Sequence, residues 1–229
     1  MSRTKHTDPR SILAARRVRA PLERRAVGDL SLRRKLGLEL RKLNATALPA
    51  TKGGNPLPRR PRILWRRPSP GFHYPIAKQD IVQLLESLGP LAVYGVRSIE
   101  LTRAPAPGAP SLVFGRYEAP DRILLFEQPL PPWRLPGLVG KENVQRFERA
   151  GAVVRLMPKL GRTHVDWPAD TLRRFMLEEV LLHEVGHHVL QYHKAKRPAR
   201  IARTKDHEAF ASLFAARQRL VLADRNNRA

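Results

Sequence analysis

Residues 181–193 read LLHEVGHHVLQYH, and this stretch restricts the possible folds more than any other part of the chain. Helical periodicity extends over about 169–193, with Asp170 placed as N-cap after Pro168. Leu172, Met176, Val180 and Leu190 fall on the same side of the wheel as His183 and His187. Leu181, Leu182, Val185 and Val189 fill much of the remainder, so the helix is apolar nearly all round and is expected to be buried. Two imidazoles four residues apart share a face, and Glu184 stands beside them. With 8 His and 12 Glu in 229 residues, chance supplies roughly 0.014 such His-Glu-x-x-His patterns. A buried helix carrying paired imidazoles at ligand spacing points to a metal.

Composition narrows the chemistry further. The chain has no cysteine, which excludes thiolate nucleophiles, zinc ribbons, iron–sulfur clusters and disulfides. A metal is therefore held by His, Asp or Glu. A catalytic zinc takes three protein ligands and keeps one position open, so His183 and His187 need a third partner. Three candidates lie downstream: His193, His207 and Glu208. His193 has the spacing of a longer motif whose helix-breaking glycine is Leu190 here, and on a continuous helix it points about 100° away from the pair. Glu208 shares a helical face with Ala211, Ser212 and Ala215, small residues that permit close approach to the metal-bearing helix. Glu208 is the favoured third ligand.

HEVGHHVL followed by Glu208-x-x-Ala211-x-x-Phe214-Ala215 resembles the ImmA/IrrE-type zinc peptidases. The resemblance covers about 170–220. It implies a compact zincin-like metallopeptidase core with Zn2+ held by His183, His187 and Glu208, and Glu184 as general base. It also implies hydrolysis of peptide bonds in a protein or peptide substrate, with Glu184 taking a proton from water and returning it to the leaving amine. The stretch from His207 to Phe210 bears a fainter likeness to SprT-like proteases, in which a histidine is the third ligand; the glycine usual after that histidine is Glu208 here.

Around this segment the sequence reads as α+β. Residues 77–88 form an amphipathic helix stopped by Gly89-Pro90, and strand-like runs follow at 91–102, 111–117 and 122–127. The last two are joined by a short hairpin loop at 118–121. A proline-rich turn is expected at 129–136, a helix at 141–149, a strand at 152–157, and two long helices near 169–193 and 206–222. A short antiparallel or mixed sheet would then pack on the His-Glu-x-x-His helix and the ligand helix after it.

Residues 1–75 differ in kind. Net charge over the whole chain is +23, and residues 1–70 hold 19 Lys and Arg against 4 acids. Residues 45–75 contain seven prolines, which exclude a regular helix or a central strand and give an extended basic linker. The only periodic segment upstream is 31–43, where Leu32, Leu36, Leu40 and Leu43 mark a short basic amphipathic helix. The expected division is therefore a largely extended or disordered region at 1–75 and a zincin-like domain at 76–229. A basic excess of this size predicts attraction to nucleic acid, anionic lipid or acidic proteins, and nucleic acid is the partner expected here. The alternative reading is a nucleic-acid-binding protein whose metal site is structural or degenerate. No apolar run approaches the ~18 residues of a membrane-crossing helix, and no signal-peptide pattern opens the chain, so a cytoplasmic location is expected.

Overall fold

The computed structural model describes residues 60–105, 112–194 and 205–226; the 31–43 helix and the rest of 1–59 lie outside them. The sheet starts earlier than the expected boundary at Ile76. Within the stretch read as a linker, the proline-free run Arg62–Trp65 forms β1 and pairs in parallel with β3, Ser98–Thr102. β3 pairs in parallel with β5 (Arg122–Phe126), and β5 pairs antiparallel with β4 (Gly115–Glu118), giving the order β1-β3-β5-β4. β1 is an edge strand, the place where a proline-flanked segment is tolerated. The run at 91–102 divides: a helical turn, Pro90–Val93, comes first and the strand begins only at Ser98.

Alternation explains the sheet's two faces. Ile99 and Leu101 of β3 and Ile123 and Leu125 of β5 are wholly buried on one face. On the other, the buried Glu100 carboxylate accepts hydrogen bonds from Arg122 Nε at 3.0 Å, Arg122 Nη2 at 3.2 Å and Ser98 Oγ at 3.0 Å, which offsets the desolvation of its charge. Helix α1 (Lys78–Leu88) buries Ile81, Leu84 and Leu85 and ends at Gly89, whose φ of +82° a side chain would resist. The four-residue turn Pro90–Val93 is α2.

The expected turn at 129–136 contains two strands instead. β6 (Gln128–Pro129) pairs with β2 (Phe72–His73) in a two-stranded sheet, and β7 (Trp133–Pro136) opens a three-stranded sheet of order β7-β9-β8. β8 is Val153–Met157 and β9 is Arg162–Asp166; helix α3 (Lys141–Arg149) precedes them. Trp133, Phe147, Trp167, Phe175 and Phe114 interlock with ring centroids 4.9 to 6.0 Å apart, joining the two larger sheets to the helices behind. Truncating either fully buried Phe147 or Phe175 to alanine costs about 3–5 kcal/mol.

One rod runs from Thr171 to Lys194, but it is not the uninterrupted α-helix that the sequence suggests. An α-turn (α4, Thr171–Arg174) leads into a π-helical segment, Phe175–Leu181, and then α5, Leu182–Lys194. The last helix is α6, Lys205–Asn226, packed along α5. The architecture is mixed α+β. No helix among the described residues is long and apolar enough to cross a membrane.

Candidate metal centre

Leu181, Leu182 and Val185 are wholly buried and Val189 nearly so, which fixes α5 between β4 and α6. Two close approaches require glycine. A Cβ on Gly115 of β4 would lie 2.8 Å from Val180 Cγ1 and 3.3 Å from Glu184 Cγ. A Cβ on Gly186 would lie 2.9 Å from Ala211 Cα and 3.1 Å from Ala211 O. The small-residue face of α6 therefore meets the residue between Glu184 and His187 backbone to backbone.

This contact brings Glu208 to the histidines. His183 Nε2 lies 3.1 Å from His187 Nε2 and 3.1 Å from Glu208 Oε2, and His187 Nε2 lies 3.5 Å from Glu208 Oε1. Donors at tetrahedral angles about a zinc, each at about 2.05 Å, are separated by about 3.3 Å. The two imidazole nitrogens, 3.1 Å apart, lie near that value, and each has a Glu208 oxygen at a similar distance, Oε2 for His183 at 3.1 Å and Oε1 for His187 at 3.5 Å. The donor set, two imidazole nitrogens and one carboxylate, also suits zinc in a chain without cysteine. The His183 and His187 rings stand nearly perpendicular at 86°, with centroids 4.7 Å apart. His187 is 5 % exposed while Glu208 is 48 % exposed, so the cluster is walled on the α5 side and open on the α6 side. Hydrogen bonding to His183, then to His187, holds the Glu208 carboxyl well below the usual carboxylate range against the opposing effect of burial.

Glu184 is buried at 5 % exposure, and its Oε2 accepts the Tyr117 backbone N–H at 2.6 Å. Phe126 N–H donates to Phe114 O, so Arg116 and Glu118 turn their peptide groups toward β5, while those of Gly115 and Tyr117 point to the open edge. Glu184 thus sits against the free edge of a strand. His188 faces the interior: it is 1 % exposed, its Nε2 lies 2.9 Å from Tyr94 O, and its ring meets Tyr117 edge-on at 5.6 Å. It anchors α5 and is not in the converging group.

The structure therefore brings together His183, His187 and Glu208, with Glu184 adjoining. His207 is half-buried and precedes Glu208 on α6, outside that group among the described residues. The side chain of His193 lies outside the described residues. Gly115 and the Tyr117 N–H are site components that the sequence reading missed. They are 67 residues from Glu184 in the case of Tyr117; the available signal was a glycine inside a strand run, which marks close backbone approach. No protein-family model, curated protein or solved structure matches the chain.

Proposed function

We propose that the chain is a zinc-dependent metallopeptidase with a zincin-like core, in which His183, His187 and Glu208 hold the metal and Glu184 is the general base. The carrying observation is the convergence of the two imidazole Nε2 atoms, 3.1 Å apart, on the two Glu208 carboxylate oxygens at 3.1 and 3.5 Å, beside a buried glutamate. Zinc supplies Lewis-acid polarisation of a carbonyl and acidifies water. Glu184 takes the proton of the attacking water through a carboxylate oxygen. The water oxygen bonds to the scissile carbonyl carbon, the C–N bond breaks, and the same carboxyl returns the proton to the departing amine. The edge of β4 away from β5 runs beside Glu184, where an extended substrate would add as a further strand.

A structural metal site does not require a glutamate beside its first histidine, and Glu184 is what separates this reading from that of a nucleic-acid-binding protein with a structural or degenerate site. The test is Glu184→Gln, assayed with a quenched-fluorescence peptide library and by zinc content. Hydrolysis is expected to fall by about 10²–10⁴-fold while one equivalent of zinc is retained. Cleavage at the wild-type rate would overturn the role of Glu184. The basic residues 1–59 enter the same proposal as an arm that carries the peptidase to nucleic-acid-associated proteins.

A further inference from the structure

Glu179 lies in the π-helical segment, four residues before His183, and is 6 % exposed. A buried carboxylate persists only where its charge is compensated, and here three guanidinium groups from two other helices surround it. From α3, Arg149 donates through Nε to Oε1 and through Nη2 to Oε2, both at 3.2 Å. Arg146, also on α3, approaches Oε2 at 3.8 Å and donates to the Glu179 carbonyl at 3.1 Å. From α6, Arg219 Nη1 stands 3.0 Å from Oε1 and donates to the Glu178 carbonyl at 3.1 Å. Glu179 is held from one side by α3 and holds α6 on the other.

The position of Arg219 on α6 gives this bond a consequence for the metal centre. Eleven residues separate Glu208 from Arg219, which is about three helical turns, so the two share a face to within about 20°. Ala211 and Ala215 lie between them on that face and are buried. The intervening contact is made by Gly186 against Ala211 and Phe214. Small smooth surfaces fix how close two helices lie, but they do little to fix axial height. A one-residue slip shifts a helix by about 1.5 Å, enough to take the Glu208 oxygens out of their 3.1 and 3.5 Å contacts with the imidazoles. At the far end of the stripe, the ion pair of Arg219 with Glu179 and its hydrogen bond to the Glu178 carbonyl resist such a slip.

We propose that Arg219 is a positioning residue for the metal centre: paired with Glu179, it sets the axial height of α6 and so presents the Glu208 carboxylate to His183 and His187. This inference rests on the zinc reading above. The experiment measures zinc affinity by chelator competition, and visible absorption of the Co2+-substituted protein, in the full-length wild type, Arg219→Gln, Glu208→Ala and the double variant. Arg219→Gln is expected to weaken zinc binding about tenfold, as loss of a ligand-orienting partner does, and to move the Co2+ bands toward those of Glu208→Ala. In the Glu208→Ala background the same substitution is expected to have no further effect.

Arg149→Gln is the control for plain destabilisation. It strips the same carboxylate from the α3 side, so it should lower the melting temperature and leave zinc affinity within about twofold. Wild-type affinity in Arg219→Gln, or an equal loss with and without Glu208, overturns the positioning role and leaves the zinc site standing. A wild-type chain that takes up no zinc, or a Glu208→Ala variant that binds it as wild type does, overturns the zinc reading and this inference together.

Discussion

Gly186 and Gly115 stand where a Cβ would meet a neighbour at 2.9 and 2.8 Å, and neither is there for its backbone freedom. Gly186 sits in a regular helix, where alanine is intrinsically better by about 1 kcal/mol. The helix forgoes that gain because a Cβ would press on the Ala211 backbone, which cannot swing aside. Gly186→Ala is therefore expected to push α6 away from α5, with a net cost of about 1–3 kcal/mol in urea denaturation and a drop in bound zinc as Glu208 retreats. Unchanged zinc content would mean that Glu208 does not depend on this contact.

Gly115→Ala acts elsewhere. Its Cβ meets Val180 and the Glu184 side chain, so kcat is expected to fall more than zinc affinity; equal losses would count against Glu184 as the base. At this scale the local parts of the site were legible and the distant ones were not. The histidines and Glu184 lie within one turn and a half, and the small residues after Glu208 announced a close helix contact. The Tyr117 N–H reaches Glu184 across the fold, and a backbone donor leaves no trace in side-chain pattern.

At the scale of elements, patterns with a strong period read well and short pieces did not. Helix α1 and the β4–β5 hairpin follow their apolar spacing. β7 and β9 are four and five residues long, with one or two inward apolar groups each, too few to show alternation beside prolines and arginines. The π-helical segment is equally silent in sequence, because its wider turn depends on packing and not on composition. The turn α4 that leads into it is tied to α1 by Asp80, whose carboxylate accepts the Ala77 N–H at 2.7 Å and Arg173 Nη2 at 2.8 Å.

The hydrogen bond from Arg173, with help from the Ala77 N–H and against burial, holds the Asp80 carboxyl below its ordinary value. A depressed folded-state value stabilises the fold above the unfolded-state value near pH 3.9, and that stabilisation is lost as pH falls through the folded value. Asp80→Asn is thus expected to cost about 1–2 kcal/mol at neutral pH. The gap in melting temperature between wild type and variant should close as pH falls below about 4 and through the depressed folded-state value. A gap that persists at the acid end would assign the loss to packing and not to the charge.

For the whole molecule, the +23 charge divides at a place the prolines concealed. Proline density marked 45–75 as irregular; the run Arg62–Trp65 nevertheless belongs to the sheet, where Arg62 N–H bonds Arg97 O and Trp65 meets Tyr74 edge-on at 4.8 Å. A strand of four residues between prolines carries too little pattern to be told from a linker. Residues 1–59 hold 15 Lys and Arg against 4 acids, so a truncation that begins at Arg60 removes the densest charge and leaves every described strand. Such a chain is expected to keep its helical circular dichroism and its zinc, whereas one beginning at Ile76 loses β1 and β2 and should unfold at a lower temperature.

The two lengths separate recruitment from fold. On a single-stranded oligonucleotide each lost phosphate contact removes about 0.7 from the slope of log affinity against log salt, so an arm making about five contacts lowers it by about 3.5. The 60–229 chain should show that flatter slope between about 50 and 200 mM salt and still cleave a short peptide at the full-length rate. A truncated chain that keeps the full-length slope would move nucleic-acid binding onto the folded part, and one that loses peptide cleavage would show that the arm takes part in the chemistry.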